Sequence, residues 1–233
     1  MEWTGEGLLI GVRRHGETSV IAEAMVHGRG RHLGLVRGGR SSKQSATLQP
    51  GNSVQLVWRA RLEEHLGTFV VEMMRARAAD LIADRTRLYL AQLLCDHLRL
   101  LPERDPHDRV LEMALDLLDG DVDGASLARF ELTLLDELGF GLDLLSCAAT
   151  GATRDLTHVS PKSGRAVSRS AAAPYRDKLL PLPAFLRDGG KPSAGDLASA
   201  FRITGHFLDR HVWNARQIDP PATREPLIAI LAR

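Results

Sequence analysis

Three cations, two hydroxyls and two glycines fall within one short segment, residues 37–43, which reads Arg-Gly-Gly-Arg-Ser-Ser-Lys. The segment follows a predicted strand. Glycine places no side chain between backbone and ligand, so such a loop can bring N–H groups and cations against phosphates. An ordinary solvated loop fits the same composition, and the segment alone leaves both interpretations open.

A second pair of cations lies on a predicted strand at residues 54–58 and just beyond it. The period of two places Arg59 and Arg61 on one face, and it places Trp58 on the opposite, apolar face. Trp58 is therefore predicted to lie in the core. Aromatic residues are only 5% of the chain, so contact with a nucleic acid would depend on the backbone rather than on base stacking.

The formal charge of +1 conceals a strong pattern along the chain. Residues 1–62 hold nine basic and four acidic side chains, residues 84–145 hold six and fourteen, and residues 146–233 hold thirteen and seven. Such asymmetry marks either an interaction surface or solvated faces. The acidic section is expected to face away from any DNA.

Candidates for metal and hydrolytic chemistry are weaker. The loop at residues 119–124 carries acids at positions 1, 3 and 5 and glycine at position 6 of a calcium loop, but position 12 is Phe130. The next residue, Glu131, is rotated away by about 100° on a helix. His206 and His211 are five residues apart rather than four, and Cys95 lies in a leucine stripe. We therefore predict an acidic helix–helix turn, and a metal-dependent enzyme remains only a third hypothesis.

The order of apolar residues predicts two kinds of structure. Five short extended segments separated by glycine-bearing turns indicate a small barrel: residues 8–12, 18–22, 32–36, 54–58 and 68–71. Near Ala78 the period changes to 3.6. Helical stripes follow at residues 90–101, 110–118, 127–138, 194–213 and 225–232. We predict a β domain at residues 1–79 and a helical domain at residues 80–233.

Residues 146–181 interrupt the helical domain without a clean period. The insertion is rich in Ser, Thr, Gly and Ala, and it carries Lys162, Arg165 and Arg169 within eight residues. Loops of this length are commonly functional or flexible, and a solvated loop fits the segment equally well.

The remaining composition bounds the class of protein. With 233 residues and 44% hydrophobic residues the chain can bury a core, while two cysteines cannot form a disulfide framework. No apolar run approaches the ~18 residues of a membrane span, and the N-terminus lacks a signal-peptide pattern. We expect a soluble cytoplasmic protein with no membrane partner.

Several segments together resemble the bacterial RecO recombination-mediator family. They are the N-terminal block with its loop at residues 37–43, the run Phe-Glu-Leu-x-Leu-Leu-x-Glu-Leu-Gly at residues 130–139, Leu-Asp-Leu-x-x-Cys at residues 142–147, and Ser-Pro-x-x-Gly at residues 160–164. The resemblance covers essentially the whole chain, and the run at residues 130–139 is its most specific part.

The resemblance implies an α+β multidomain protein, with an N-terminal five-stranded OB-fold β-barrel followed by a C-terminal helical domain that carries the irregular insertion. It further implies a cofactor-free, non-enzymatic mediator of DNA repair. Such a protein binds single- and double-stranded DNA, anneals complementary strands, and works with RecR to load RecA onto DNA coated by single-stranded-DNA-binding protein. The alternative is an interaction module that docks repair partners, with DNA contact secondary.

The candidate DNA-binding residues are the cations of the barrel and of the insertion: Arg13, Arg14, Arg37, Arg40, Lys43, Arg59, Arg61, Lys162, Arg165 and Arg169. The family's partner, the tail of single-stranded-DNA-binding protein, is acidic and apolar at its end. A receptor for it should combine cations with an apolar pocket, and Arg202, Phe207 and Arg210 are the candidates.

One departure from the family concerns metal. Many relatives carry a zinc site built from two Cys-x-x-Cys pairs in the insertion, and the four ligand positions correspond here to Cys147, Thr150, Ser168 and Ala171. Only one of these is a thiol, and a structural zinc site needs four nitrogen or sulfur ligands. We predict that no zinc is bound and that hydrogen bonds and packing hold the insertion.

Overall fold

A computed structural model describes residues 1–232 of the chain. The chain divides into two compact units, of which the first is Met1–Val122 and the second begins at Asp123. No helix among residues 1–232 is both long and apolar enough to cross a membrane.

The first unit begins with a closed five-stranded barrel in the order β1-β2-β3-β5-β4. Its strands are β1 (Glu2–His15), β2 (Ser19–Val26), β3 (Gly30–Val36), β4 (Ser53–Arg59) and β5 (Thr68–Arg75), and helix α1 (Ser42–Thr47) connects β3 to β4. This is the OB-fold arrangement, and the predicted fold class is confirmed.

Strand β1 is longer than the predicted segment because it serves two neighbours. Its first half pairs with β4, from Glu2 opposite Arg59 to Leu8 opposite Ser53, and its second half pairs with β2. A bulge between Leu9 and Gly11 bends the strand where it changes partner. The barrel therefore closes through β1.

The barrel interior follows the alternation of each strand. On β4, Val54, Leu56 and Trp58 are buried, while Gln55 and Arg59 are exposed. Trp58 is only 2% exposed, and its indole N–H donates to the Leu66 carbonyl at 3.0 Å. The prediction that Trp58 is a core residue is confirmed.

Three helices complete the first unit: α2 (Ala78–Ala83), α3 (Arg85–Leu98) and α4 (Asp108–Asp119). Asp84 caps α3 by accepting from the Thr86 and Arg87 N–H groups. The connection between α3 and α4 lies directly on β3, since a Cβ built at Gly30 would lie 1.8 Å from the Asp105 carbonyl oxygen. Only glycine allows this close approach, and its φ of +72° also favours glycine.

The second unit begins with α5 (Gly124–Glu137), capped by Asp123. The insertion that follows is not wholly irregular. It contains a small sheet in the order β7-β6-β8, formed by β6 (Leu156–Val159), β7 (Ala166–Ser168) and β8 (Leu180–Pro181), with α6 (Arg169–Ala172) and α7 (Phe185–Asp188) beside it. Strands of four, three and two residues are too short to show an alternating pattern in the sequence.

Helix α8 (Ala194–Leu208) continues into a π-helical turn at Asp209–Trp213 and then into α9 (Asn214–Arg216), and α10 (Arg224–Leu231) follows. Glu131 of α5 and Arg224 of α10 form a fully buried ion pair with two hydrogen bonds of 2.8 Å. The Thr204 hydroxyl of α8 donates to the same carboxylate at 2.5 Å. This polar cluster joins three helices inside the second unit.

Candidate nucleic-acid interface

The basic loop at residues 37–43 lies against the turn between β1 and β2. The Arg40 backbone N–H donates to the Thr18 carbonyl at 3.1 Å, and the Arg40 guanidinium donates to the Glu17 carbonyl. Gly39 lies against Val20, where a Cβ would come within 2.6 Å of a methyl group. Two loops far apart in the sequence therefore form one surface.

This surface brings five of the predicted cations to one end of the barrel. Arg13 and Arg14 end β1 beside the turn, and Val36, which immediately precedes Arg37, is the register partner of Val20, which pairs with Arg14. The five side chains are exposed: Arg13, Arg14, Arg37, Arg40 and Lys43. We refer to these five residues as the barrel-end cations.

The barrel-end cations are not neutralised within the chain. None of the five forms an ion pair with any residue in the described range 1–232, and Arg40 uses its guanidinium only toward a carbonyl. Unpaired exposed cations in a cluster attract polyanions and bind phosphates by releasing counterions. The arrangement therefore suits a nucleic-acid backbone.

Arg59 lies on the same row of the sheet as Arg13. The row runs from Arg13 through Ile21, Leu35 and Thr68 to Arg59. At about 4.8 Å between neighbouring strands, the four steps span roughly 19 Å along the sheet.

Arg59 differs from the barrel-end cations because it has an acidic partner. Its guanidinium donates to the Glu2 carboxylate at 2.9 Å, and this hydrogen bond is the main cause that lowers the pKa of Glu2. Arg61 follows in the loop between β4 and β5, is exposed, and forms no ion pair within residues 1–232.

The three predicted cations of the insertion are all exposed, but two of them are paired. Arg165 contacts Asp143 at 3.2 Å and Arg169 contacts Asp155 at 3.1 Å, whereas Lys162 has no acidic partner in the described residues. Exposed pairs of this kind contribute little to stability, and a phosphate can replace the carboxylate.

Two cationic contacts were not predicted from the sequence. In the insertion, the pKa of His158 is lowered mainly by its partial burial and further by the positive charges of Arg176 and Arg169. Arg176 therefore belongs to the same basic patch. In the barrel, the Arg29 guanidinium lies 4.7 Å from the centre of the Trp3 ring. The local sequence does not indicate that Arg176 lies near His158 or that Arg29 lies near Trp3, because the members of each pair are far apart in the chain. The basic composition of residues 146–233 was the only signal for Arg176.

The positions that correspond to a zinc site do not fit a metal ion. The Cys147 sulfur accepts from the Ser168 N–H at 3.2 Å and lies 3.4 Å from the Ser168 hydroxyl. Burial tends to raise the pKa of this thiol, but hydrogen bonds from Ser168 and Thr150 outweigh it and lower the pKa to about 6. Ala171 offers no ligand atom. The single thiol of the four positions is therefore engaged by the hydroxyl and the backbone N–H of Ser168.

The acidic loop and the histidines form no metal site either. Asp119 accepts hydrogen bonds from Arg75 and Arg77, while Asp123 caps α5. His211 stacks on Phe140 at 4.7 Å. Across residues 1–232 there is no group of three or more His, Cys, Asp or Glu side chains that could hold a metal ion.

The predicted partner site changes its composition in the structure. Phe207 is 2% exposed and packs between histidine rings, so it belongs to the core and cannot form an exposed apolar contact. Arg210 donates to the carbonyls of Pro161 and Lys162 and so holds the insertion. Arg202 alone of the three lines an open pocket.

That pocket lies within the second unit and has a volume of about 600 Å³. Its apolar walls are Phe201, Trp213 and Ile228. Arg202 stands at its side, and the acidic residues Asp209 and Glu225 also line it. The sequence pattern selected Phe207 in place of Phe201 and Trp213, because a helical stripe does not show which of its buried aromatic residues borders a pocket.

Comparison with known proteins agrees with this architecture. Residues 1–77 match the family model described as Recombination protein O N terminal, and residues 82–217 match Recombination protein O C terminal. Proteins named DNA repair protein RecO from Mesorhizobium japonicum and Rhizobium etli are 55% and 56% identical to the chain. These alignments cover 100% and 98% of this chain, and 94% and 91% of the two relatives.

A third relative with the same name, from Methylocella silvestris, is 55% identical over 98% of this chain and 95% of its own length. The similarity therefore extends over both units. The chain belongs to the recombination protein O (RecO) family of DNA repair proteins.

Proposed function

We propose that this protein is a non-enzymatic recombination mediator that binds single- and double-stranded DNA without sequence preference. The observation that carries the proposal is the cluster of exposed barrel-end cations, none of which has an acidic partner among residues 1–232. Phosphate contacts supply most of the affinity in sequence-tolerant binding. Trp58 is buried, so base stacking on that ring does not contribute.

In this proposal the mediator anneals complementary single strands. Its two basic surfaces, at the barrel end and in the insertion, neutralise the phosphates of two strands and lower the repulsion between them, so that the bases can pair. Together with RecR it promotes loading of RecA onto DNA coated by single-stranded-DNA-binding protein. The family relationship and the charge pattern support these steps.

The salt dependence of binding tests the proposal. We expect the triple variant Arg37→Ala, Arg40→Ala and Lys43→Ala to bind duplex DNA with a slope of log K against log salt that is smaller by about 2–3. The matched control removes three arginines from helices α3 and α4 of the same unit, the exposed Arg85 and Arg109 and the half-buried Arg87, and therefore has the same net charge.

The comparison of these two variants separates a local site from net charge. A normal slope in the control and a reduced slope in the loop variant supports the barrel end as the DNA site. Equal slopes in both variants would remove the loop from it. A strand-annealing assay on the same samples, with their metal content measured, then tests whether annealing proceeds without zinc.

A second candidate function is that of an interaction module whose DNA contact is secondary. The pocket beside Arg202 favours it, because this exposed cation has no acidic partner in the described residues and stands next to the apolar ring of Trp213. A peptide that ends in acidic and apolar residues, such as the tail of single-stranded-DNA-binding protein, matches that combination.

Fluorescence anisotropy with such a tail peptide distinguishes the two functions. Arg202→Glu should weaken peptide binding while the salt slope for DNA stays unchanged. A protein that functions only in DNA binding would not bind the peptide. A protein that functions only in docking would bind the peptide and would not show steeply salt-dependent DNA binding.

A further inference from the structure

A pocket of about 440 Å³ opens at the end of the barrel, between β1, β2 and α1. Its polar side is formed by the guanidinium-bearing residues Arg14 and Arg40. Its apolar side is formed by Val12, Val20, Leu48 and Pro50. The volume lies in the range of ligand-binding pockets.

The fold keeps this pocket open. Gly39 borders the pocket, where a Cβ would clash with a Val20 methyl group at 2.6 Å and would press against a Leu48 methyl group at 3.2 Å. The hydrogen bond from Arg40 to the Glu17 carbonyl fixes the guanidinium group beside the opening. The Gln49 side chain is likewise held, because its amide donates to the Ser45 carbonyl at 2.8 Å.

The lining identifies the chemistry of the ligand. Two arginines and no acidic residue line the pocket, so the ligand should carry negative charge on the side that faces them. The side that faces the aliphatic wall should be an uncharged, weakly polar group. A nucleotide has both parts. Its phosphate would contact Arg14 and Arg40, and its base would lie against the aliphatic wall.

The surroundings of the pocket favour a chain of nucleotides over a single small anion. Arg13 precedes Arg14, while Arg37 and Lys43 lie on either side of Arg40 along the loop. Negative charge can therefore continue in both directions from the pocket. A base that enters the pocket must be unpaired, because the bases of a duplex are stacked and hydrogen bonded.

We propose that the barrel-end pocket captures one unpaired base of single-stranded DNA, while Arg14 and Arg40 hold the adjacent phosphate. The proposal rests on the DNA binding proposed above and adds to it a preference for single strands. The barrel-end cations supply affinity for any DNA backbone, and the pocket distinguishes a strand whose bases are free.

The experiment compares two oligomers with equal charge, an eight-residue thymidine strand and an eight-residue abasic strand. We expect the wild-type protein to bind the thymidine strand about tenfold more tightly, the effect of burying part of one base against an aliphatic wall. The variant Ser45→Phe fills the pocket, since Ser45 is an exposed lining residue, and should bring the thymidine affinity down to the abasic value.

Ala46→Phe is the matched control, because Ala46 is an exposed residue of the same helix, lies outside the basic loop and does not line the pocket. It should keep the preference for bases. Unchanged abasic binding by Ser45→Phe shows that this variant is folded. If the variant is not folded, hydrogen exchange of the wild type replaces this test, and amides 45–49 should be protected more by the thymidine strand than by the abasic strand.

The outcomes separate this inference from the function on which it rests. Equal wild-type affinity for the two strands, or a preference that survives Ser45→Phe, would overturn the base pocket and leave backbone binding intact. Failure of both strands to bind in a salt-dependent manner would overturn the proposed DNA binding itself.

Discussion

The Arg77 guanidinium donates two hydrogen bonds to Asp119, from Nε to Oδ1 at 2.6 Å and from Nη2 to Oδ2 at 2.8 Å. Arg77 is buried, and its Nη1 also donates to the Gly51 carbonyl and the Ser53 hydroxyl. One side chain thus joins the end of α4 to the start of β4. Arginine suits this place because its planar group binds a carboxylate with two parallel bonds.

We expect Asp119→Asn to lower the free energy of unfolding of the first unit by about 2 kcal/mol at pH 7. Hydrogen bonding by Arg77 is the main cause that lowers the pKa of Asp119. A carboxyl group whose pKa is lowered by folding stabilises the protein above its unfolded-state pKa, and this stability is lost as the pH falls through the folded-state pKa. The difference between wild type and variant should therefore shrink below about pH 4.

Urea unfolding followed by tryptophan fluorescence measures this difference. A Trp213→Phe background confines the signal to Trp3 and Trp58 of the first unit. Asp116→Asn, an exposed carboxyl group on the same helix, is the control and should change little. A gap that stays constant down to pH 3 would contradict the role given to the Asp119 charge.

The buried pair of Glu131 and Arg224 predicts a strongly asymmetric mutational response. Arg224→Met leaves the Glu131 carboxylate buried, with 0% exposure, and removes the guanidinium charge that faces it, which should cost about 3–5 kcal/mol. The double variant Glu131→Leu and Arg224→Met should recover most of this loss, because it buries no charge.

Differential scanning calorimetry of the three proteins measures the effect. Arg202→Ala, an exposed arginine on α8, serves as the control and should stay within about 0.5 kcal/mol of wild type. If the double variant is no more stable than Arg224→Met, the loss comes from packing rather than from the uncompensated charge.

The hydrogen bonds around Cys147 predict a protein whose insertion folds without metal. We expect no stoichiometric zinc in the purified protein and no change of its thermal unfolding on adding a chelator. Ser168→Ala should destabilise the second unit by about 1 kcal/mol, because the thiol loses its bond to the hydroxyl. Thr153→Ala, in the same insertion, is an exposed control. One equivalent of zinc per protein chain, measured by elemental mass spectrometry, would contradict this prediction.

The pair of Glu2 and Arg59 predicts a variant that gains affinity for DNA. Glu2→Gln removes a negative charge and releases Arg59 toward the solvent. We expect affinity for DNA at low salt to rise about twofold to fivefold, and the gain to disappear at high salt as screening increases.

The double variant Glu2→Gln and Arg59→Ala is the control for this gain. It removes the released cation and should bring the affinity back to that of the wild type or below it. An equal gain in the single and double variants would show that loss of the Glu2 carboxylate alone raises the affinity and that Arg59 does not contact the DNA backbone.

The strands of the barrel could be predicted from the sequence because each has one face in the core. The alternation of Val54, Leu56 and Trp58 with polar neighbours shows this directly. The extra length of β1 could not be predicted, because it comes from pairing with distant residues, such as Trp3 with Trp58, which are 55 positions apart.

The residues of the candidate site likewise fall into those that could be predicted from local sequence and those that could not. Exposure of Arg37 and Lys43 follows from a polar loop and was predictable from local sequence. The contact of Arg40 with the turn at Glu17, and the pairing of Arg59 with Glu2, are set by the closure of the barrel. The burial of Phe207 could not be predicted, because α8 has apolar residues on more than one face and the insertion packs against one of them.

The two-sided pairing of β1 also determines when this barrel can form. The first half of β1 has no partner until β4 has been synthesised, and β3 meets β5 through a single residue pair, Leu35 and Thr68. Contacts between such distant segments carry a large loop-closure cost and form slowly. A nascent chain that stops before Arg75 would expose an open sheet edge, the kind of surface on which strands aggregate. Truncations within the first 75 residues should therefore yield insoluble protein rather than a smaller barrel.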